Sequence, residues 1–171
     1  MGFLLLLGGA RSGKSDLACR LAAESGRDVA VIATATAGDP EMAARIERHR
    51  GSRPAHWQTV EEPLDLAGAV ASCDASLYLV VDCLTLWVSN LFGDGCSPEE
   101  VTHRAVSVAE ALAGRSAVVV SNEVGLGIVP ASEMARTYRD ALGVVNAEFA
   151  ARAERALLMV AGRALELAPP L

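Results

Sequence analysis

Apolar residues along the chain fall into short unbroken runs, separated by longer stretches with helical spacing. The runs at 3–7, 29–33, 77–81, 117–121 and 156–160 are rich in Val, Leu, Ile and Ala. They lack polar alternation, which is the pattern of strands buried on both faces. Between them the spacing predicts helices over 15–24, 40–50, 63–72, 84–91, 98–113 and 133–152. Strand–helix alternation predicts an α/β domain with a mainly parallel sheet and helices on both faces. Ser97-Pro98-Glu99-Glu100 carries a helix start: a Ser cap, Pro at the first position and acids in the first turn. Asp39-Pro40-Glu41 reads the same way. Two stretches, 51–62 (polar, with Pro and Trp) and 124–130 (glycine-rich and apolar), are predicted to be loops at one edge of the sheet.

No repeat, low-complexity tract or linker divides the chain, so one domain over 1–171 is expected. The 171 residues sit near the roughly 150 of a single domain. With 51% hydrophobic and 21% charged residues, the composition is that of a globular core and excludes disorder. The apolar runs stay well short of the ~18 residues a membrane span needs. The start, Met1 to Leu7, lacks a basic region and runs into a glycine motif, so it reads as a buried strand and not a signal peptide. A net charge of -6 with no basic block argues against nucleic acid as a partner. Four cysteines without C-x-x-C spacing and three scattered histidines make no zinc pattern. Free, mostly buried thiols in a reducing cytoplasm are expected.

The 15 basic residues comprise fourteen arginines and a single lysine, Lys14. Arg and Lys differ where a compact point charge must fit a tight site. Lys14 lies in Gly8-Gly9-Ala10-Arg11-Ser12-Gly13-Lys14-Ser15, a match to the phosphate loop G-x-x-x-x-G-K-[ST]. The motif follows one predicted strand and opens one predicted helix, as it must. Its glycines allow backbone N–H groups to curl around phosphate oxygens, and the helix N-terminus adds partial positive charge. Lys14 is placed to reach the β/γ-phosphates and Ser15 to ligate Mg²⁺. A second ligand for the cation or its water usually ends a neighbouring apolar strand. Asp82 ends the run 77–81; Glu123 is the weaker candidate.

A guanine-reading N-K-x-D cannot exist in a chain whose one lysine sits in the phosphate loop. Asp82 is followed by Cys83, not by the acid usual in large ATPase motors. A compact phosphotransferase remains. The segment from Arg45 to Trp57 sets His49 among Arg48, Arg50 and Arg53. Arginines grip phosphate through paired hydrogen bonds, and imidazole can act as acid, base or nucleophile. Arg45 and His49, four apart, share a helix face. The same residues also suit a solvated, arginine-rich helix end that favours the helix dipole.

The segments G-G-A-R-S-G-K-S, I-A-T-A, E-M-A-A-R-I-x-x-H-R-x-x-R-P-x-H-W-x-T-V-E and S-N-E-V-G-x-G-I-V-P together resemble one family. It is the bifunctional adenosylcobinamide kinase / adenosylcobinamide-phosphate guanylyltransferase family of cobalamin synthesis. The resemblance runs from Leu4 to about Gly162. Many families share the phosphate loop, whereas the His49 segment and the 122–130 segment are specific to this one. The resemblance implies a RecA-like P-loop fold, a trimer and a cytoplasmic enzyme. It also implies two reactions. ATP or GTP phosphorylates adenosylcobinamide; GTP then guanylylates an enzyme histidine, releasing pyrophosphate, and the GMP passes to adenosylcobinamide phosphate. The family histidine maps onto His49, with His56 as the competing candidate. Some members carry two adjacent histidines there; this chain has Arg48-His49. The resemblance further places Thr34, Ala35, Thr36, Gly51, Ser52, Arg53, Pro54, Glu61 and Asp82 near the nucleotide. Two other readings stand beside it: a P-loop kinase in which His49 never becomes covalent, and a nucleotide-dependent regulatory module. Trp57 and Trp87 are expected to be core or interface aromatics, and residues 84–92 to form either a buried helix or a subunit contact.

Overall fold

The β-branched and leucine-rich runs have no polar face to turn to water, so they stack side by side and are covered from above and below. The computed structural model describes residues 2–169 apart from Ser52, and the side chain of Arg45 also lies outside the described residues. In chain order the elements are β1 (Phe3–Gly8), α1 (Lys14–Glu24), β2 (Val29–Ala33), α2 (Pro40–Gly51), β3 (Gln58–Glu61), α3 (Leu66–Ser72) and β4 (Tyr78–Asp82). There follow α4 (Leu84–Gly93), α5 (Pro98–Leu112), β5 (Ala117–Val120), α6 (Glu133–Arg152), β6 (Arg155–Val160) and β7 (Arg163–Glu166). The seven described strands form one sheet in the order β3-β2-β4-β5-β1-β6-β7. All neighbours pair in parallel except β6 with β7. The expected mainly parallel α/β sheet is therefore what forms.

Alternate residues of each strand serve two cores. Phe3, Leu5 and Leu7 of β1 join Ala30, Ile32, Leu79 and Val81 against α3, α4, α5 and α6. Leu6, Val31, Val80 and Val118 face the other way, onto Ala18 and Ala22 of α1. Phe3 meets Phe149 of α6 edge to face, with ring centroids 5.9 Å apart. Helix α4 is the buried alternative, with Leu84, Trp87, Val88 and Leu91 shielded from solvent. The Trp87 indole N–H donates to the Leu64 carbonyl at 3.0 Å. The predicted start of α5 is a full capping box: Ser97 Oγ accepts from the Glu100 amide, and the Glu100 carboxylate accepts from the Ser97 amide. That hydrogen bond holds the Glu100 carboxyl below its ordinary value.

Several boundaries differ from the sequence expectation. The stretch 51–62 is not all loop: its end forms β3, paired with β2 along one lateral edge of the sheet. The stretch 124–130 leaves β5, an interior strand, so it lies at the strand ends and not at that lateral edge. β7 was not expected; every residue of it is exposed, and it is held by antiparallel pairing to β6 and by Arg155 on Glu166 at 2.8 and 2.9 Å. Both unexpected strands are edge strands, whose few apolar residues give no run to read. The helix expected over 63–72 begins at Leu66, because Asp65 Oδ1 caps it from the Gly68 amide. Before it, the Glu62 carboxylate accepts from the amides of Leu64 and Asp65.

Candidate functional site: a phosphate-loop cleft

In a parallel sheet all strands end on one side, and ligands bind beyond those ends. β1 ends in the phosphate loop, and one position there demands glycine. Gly8 has φ +143°, and a Cβ on it would lie 2.3 Å from the Met159 carbonyl oxygen of β6. Gly13, with φ +93°, is the N-cap of α1 and turns the loop into the helix. Lys14 is buried, and its Nζ donates to the carbonyls of Gly8 at 2.8 Å and Gly9 at 2.7 Å, with Ser12 Oγ at 3.3 Å. The ammonium is thereby held at the loop's centre, where a phosphate chain would bring stronger acceptors.

Beside the loop opens a cleft of about 370 Å³. One wall is Ala10, Arg11, Ser12, Gly13, Lys14, Ser15 and Asp16. Met42, Ile46, His49 and Arg50 of α2 also line the cleft, as does Arg53 just beyond that helix. The floor carries Ala33, Ala35, Thr59, Glu61, Asp82, Cys83, Leu86, Val120 and Asn122, most of them at strand ends. The fold thus joins the phosphate loop, the histidine segment and Asp82, which are distant in sequence.

Asp82 is the centre of charge. Arg53 Nη2 donates to its Oδ2 at 2.7 Å, and His49 Nδ1 stands 3.9 Å from the same oxygen. The Arg53 and Asp82 side chains are only 10% and 17% exposed, so this pair is little screened by solvent. Arg50 Nη1 lies 3.6 Å from Glu61 Oε1 at the cleft's open side. Burial pushes up the thiol of Cys83, and the neighbouring Asp82 charge adds to that. Cys19, on α1, is also pushed up by burial, while the Arg53 guanidinium pulls the other way.

Not every expected contact reaches the cleft wall. Thr34 is fully buried. Its hydroxyl donates to the Cys83 carbonyl at 2.7 Å and accepts from the Cys83 amide at 2.9 Å, stitching β2 to the end of β4. That side chain is occupied structurally, and Thr34 is not part of the cleft lining. Thr36, Gly51 and Pro54 are exposed and stand off the cleft lining, as does His56. Gly8 and Gly9 shape the loop and hold Lys14 without lining the cleft themselves. Ser52 lies outside the described residues. The Glu123 carboxylate bonds the Gly125 amide and does not line the cleft. Residues not singled out include Asn122, Asp16, Thr59 and the apolar Met42, Ile46 and Leu86. Asn122 had a usable signal, being the first residue after the run that ends at Ser121.

A hydroxyl (Ser15) and a carboxylate (Asp82) share the cleft, and the described residues hold no group of three or more His, Cys, Asp or Glu that could cage a metal. That donor set fits Mg²⁺ carried in by phosphates, which keeps most of its waters, and not an all-protein metal centre.

A mostly parallel sheet, a phosphate loop entering a helix and a polar cleft at the strand ends define a P-loop nucleotide-binding α/β protein. Solved structures agree on the fold: the RadB recombinase (TM-score 0.50, 18% identity, 92% of this chain and 73% of that one). So does the flagellar accessory protein FlaH of Methanocaldococcus jannaschii (TM-score 0.54, 13% identity, 98% and 78%). The chain belongs to the cobinamide kinase / cobinamide phosphate guanyltransferase family, CobU, whose profile matches residues 4–167. It is 51% identical over 168 residues, 95% of each chain, to the bifunctional adenosylcobalamin biosynthesis protein CobP of Pseudomonas aeruginosa. It is 40% identical over 174 residues to the bifunctional adenosylcobalamin biosynthesis protein CobU of Escherichia coli, covering 93% of this chain and 96% of that one. No helix among the described residues is long and apolar enough to cross a membrane.

Proposed function

We propose that this chain carries out both family reactions in the one cleft. It phosphorylates the aminopropanol hydroxyl of adenosylcobinamide with ATP or GTP. It then moves GMP from GTP, through a covalent adduct on His49, to adenosylcobinamide phosphate, giving adenosyl-GDP-cobinamide and pyrophosphate. The observation that supports this reading is that one cleft is lined by Lys14, Ser15, Asp82 and His49, with His49 Nδ1 3.9 Å from Asp82 Oδ2. An imidazole nucleophile divides one hard transfer into two easier ones. The loop amides, Lys14 and Arg53 supply fixed positive charge where the phosphates gather negative charge. Ser15 and Asp82 would hold Mg²⁺, which supplies neutralisation of the phosphate oxygens. Ala35, Arg50, Arg53 and Glu61 are the side chains in reach of a nucleotide's remaining parts. A single-domain, cytoplasmic homotrimer is the assembly the resemblance implies, and sedimentation of the purified protein measures its oligomeric state.

The experiment uses GTP labelled at the α-phosphate, Mg²⁺ and purified protein, followed by denaturation. Acid-labile, base-stable label is expected on wild type and His56→Ala, and none on His49→Ala. Wild type that binds GTP but carries no label overturns the covalent route and leaves a simple kinase.

A further inference from the structure

We infer that Asn122 is a further catalytic residue, whose carboxamide donates through Nδ2 to the γ-phosphate of the bound nucleoside triphosphate. The inference rests on the reading above, in which one phosphate loop serves both reactions, and adds a contact to the transferred phosphoryl group. β5 inserts between β1, which feeds the phosphate loop, and β4, which ends in Asp82. Val120, the last residue of β5, is in register with Leu6 on one side and Asp82 on the other. Asn122 follows two residues on and lines the cleft together with Val120, Lys14, Ser15 and Asp82. The next residue, Glu123, donates its amide to the Gly8 carbonyl at 3.2 Å. That same carbonyl accepts from Lys14 Nζ at 2.8 Å. Asn122 is therefore one residue from the anchor of the ammonium that a phosphate loop aims at the β/γ-phosphates.

The backbone of Asn122 is fixed from two helices. Its amide donates to Thr85 Oγ1 of α4 at 2.9 Å, and its carbonyl accepts from Asn146 Nδ2 of α6 at 3.0 Å. Asn146 is itself buried, and its Oδ1 accepts from the buried Ser121 hydroxyl at 2.6 Å. Thr85 is braced in turn by the Tyr138 hydroxyl, which donates to its carbonyl at 2.9 Å. The other buried residues of α6 are apolar: Ala141, Leu142, Val145 and Phe149. A polar network in such a core is costly unless its members are bonded, and once bonded it holds one geometry. What it holds here is the end of β5. The Asn122 carboxamide makes no hydrogen bond among the described residues, so it is the polar group this scaffold presents to a ligand. Ser121 turns to α6 and Val120 to the core beneath α1, and alternation gives Asn122 the α1 side, where the phosphate loop ends. As the γ-phosphoryl group loosens, charge spreads over its oxygens, and a donor fixed in advance gains strength there. The contact moves no proton and forms no covalent bond. In guanylyl transfer the γ-phosphate stays within the pyrophosphate, so the same contact adds to binding and not to the reacting centre.

Two measurements test this, on variants whose folding is checked by urea unfolding. Asn122→Ala keeps both backbone hydrogen bonds and is expected to fold as wild type does. The first measurement is calorimetry with Mg²⁺ and the α,β-methylene analogues of GDP and GTP, which cannot guanylylate the enzyme. In Asn122→Ala the affinity for the triphosphate is expected to fall about tenfold relative to that for the diphosphate. An equal loss for both, or no loss, overturns the inference. Asn122→Asp keeps the shape, removes the donor and adds a negative charge, so its loss is expected to exceed that of Asn122→Ala. A loss no greater than that of Asn122→Ala shows a side chain that accepts, from a cation or its water, and overturns the inference. The second measurement is kinetic. Asn122→Ala is expected to lower kinase kcat by about 10²-fold, against a fall of less than about tenfold in enzyme–GMP formation at saturating GTP. Parallel falls in the two reactions overturn the inference. Wild type that binds both analogues but phosphorylates no adenosylcobinamide overturns the reading above and the catalytic role with it, while the affinity ratio still decides the contact.

Discussion

Arg53 Nη2 and Asp82 Oδ2 meet at 2.7 Å and tie the segment after α2 to the end of β4 across the floor of the cleft. With side chains 10% and 17% exposed, the pair stands between a surface ion pair and a buried one. Arg53→Ala leaves Asp82 partly desolvated without its guanidinium partner, and is expected to cost about 2 kcal/mol in urea unfolding. Adduct formation on His49 is expected to fall together with stability, and Arg53→Lys to recover only part of each. Unchanged stability in Arg53→Ala would show that the pair is solvated in solution.

Lys14 Nζ sits between the carbonyls of Gly8 and Gly9 in a buried position too tight for a planar guanidinium. Lys14→Arg is expected to lower kcat/KM of both the kinase and the guanylyl-transfer reactions by about 10²–10³-fold, the scale of losing one placed donor. Loss of one activity alone would show that the two reactions do not share this phosphate site.

Thr34 is read as a structural clip and not as a nucleotide contact, and the two roles separate experimentally. Thr34→Val keeps the shape but strands the part-buried Cys83 amide, at a cost of about 1–3 kcal/mol. Thr34→Ser keeps the hydroxyl and is expected to stay near wild type. KM for GTP is expected to be unchanged in both, measured where each variant is folded.

The Tyr138 hydroxyl donates to the Thr85 carbonyl at 2.9 Å, and burial pushes its ionisation up to about 12. Between the unfolded value of about 10 and 12, the folded state keeps a proton that the unfolded chain has lost. The stability that this proton contributes is fully present below 10 and is lost as pH rises through 12. Unfolding free energy is therefore expected to decline over that window, and less steeply in Tyr138→Phe. That variant also gives up one hydrogen bond, worth about 1 kcal/mol at neutral pH. Tyrosinate absorbance during the titration checks which of the two tyrosines, Tyr78 or Tyr138, is responsible.

What the chain determined by itself was local. The interior strands were legible because burial on both faces leaves only apolar residues, as in Val29 to Ala33. The phosphate loop was legible because glycines and one lysine are required at fixed spacing for the backbone to turn as it does at Gly8 and Gly13. The start of α5 was legible because its caps are bonded within four residues.

Tertiary structure decided the rest, since it depends on which strand lies beside which. Pairing with β2 makes a strand of Gln58–Glu61, whose own residues carry no burial signal. Thr34 has the sequence context of a strand-end hydroxyl, and only the pairing of β2 with β4 commits that hydroxyl to Cys83. β5 inserts between β1 and β4, so Asp82 ends a strand that is not the phosphate loop's neighbour yet shares its cleft. No spacing along the chain could show His49 and Arg53 converging on one oxygen of Asp82. That meeting is set by how α2 and the end of β4 pack, and packing is a property of the whole sheet.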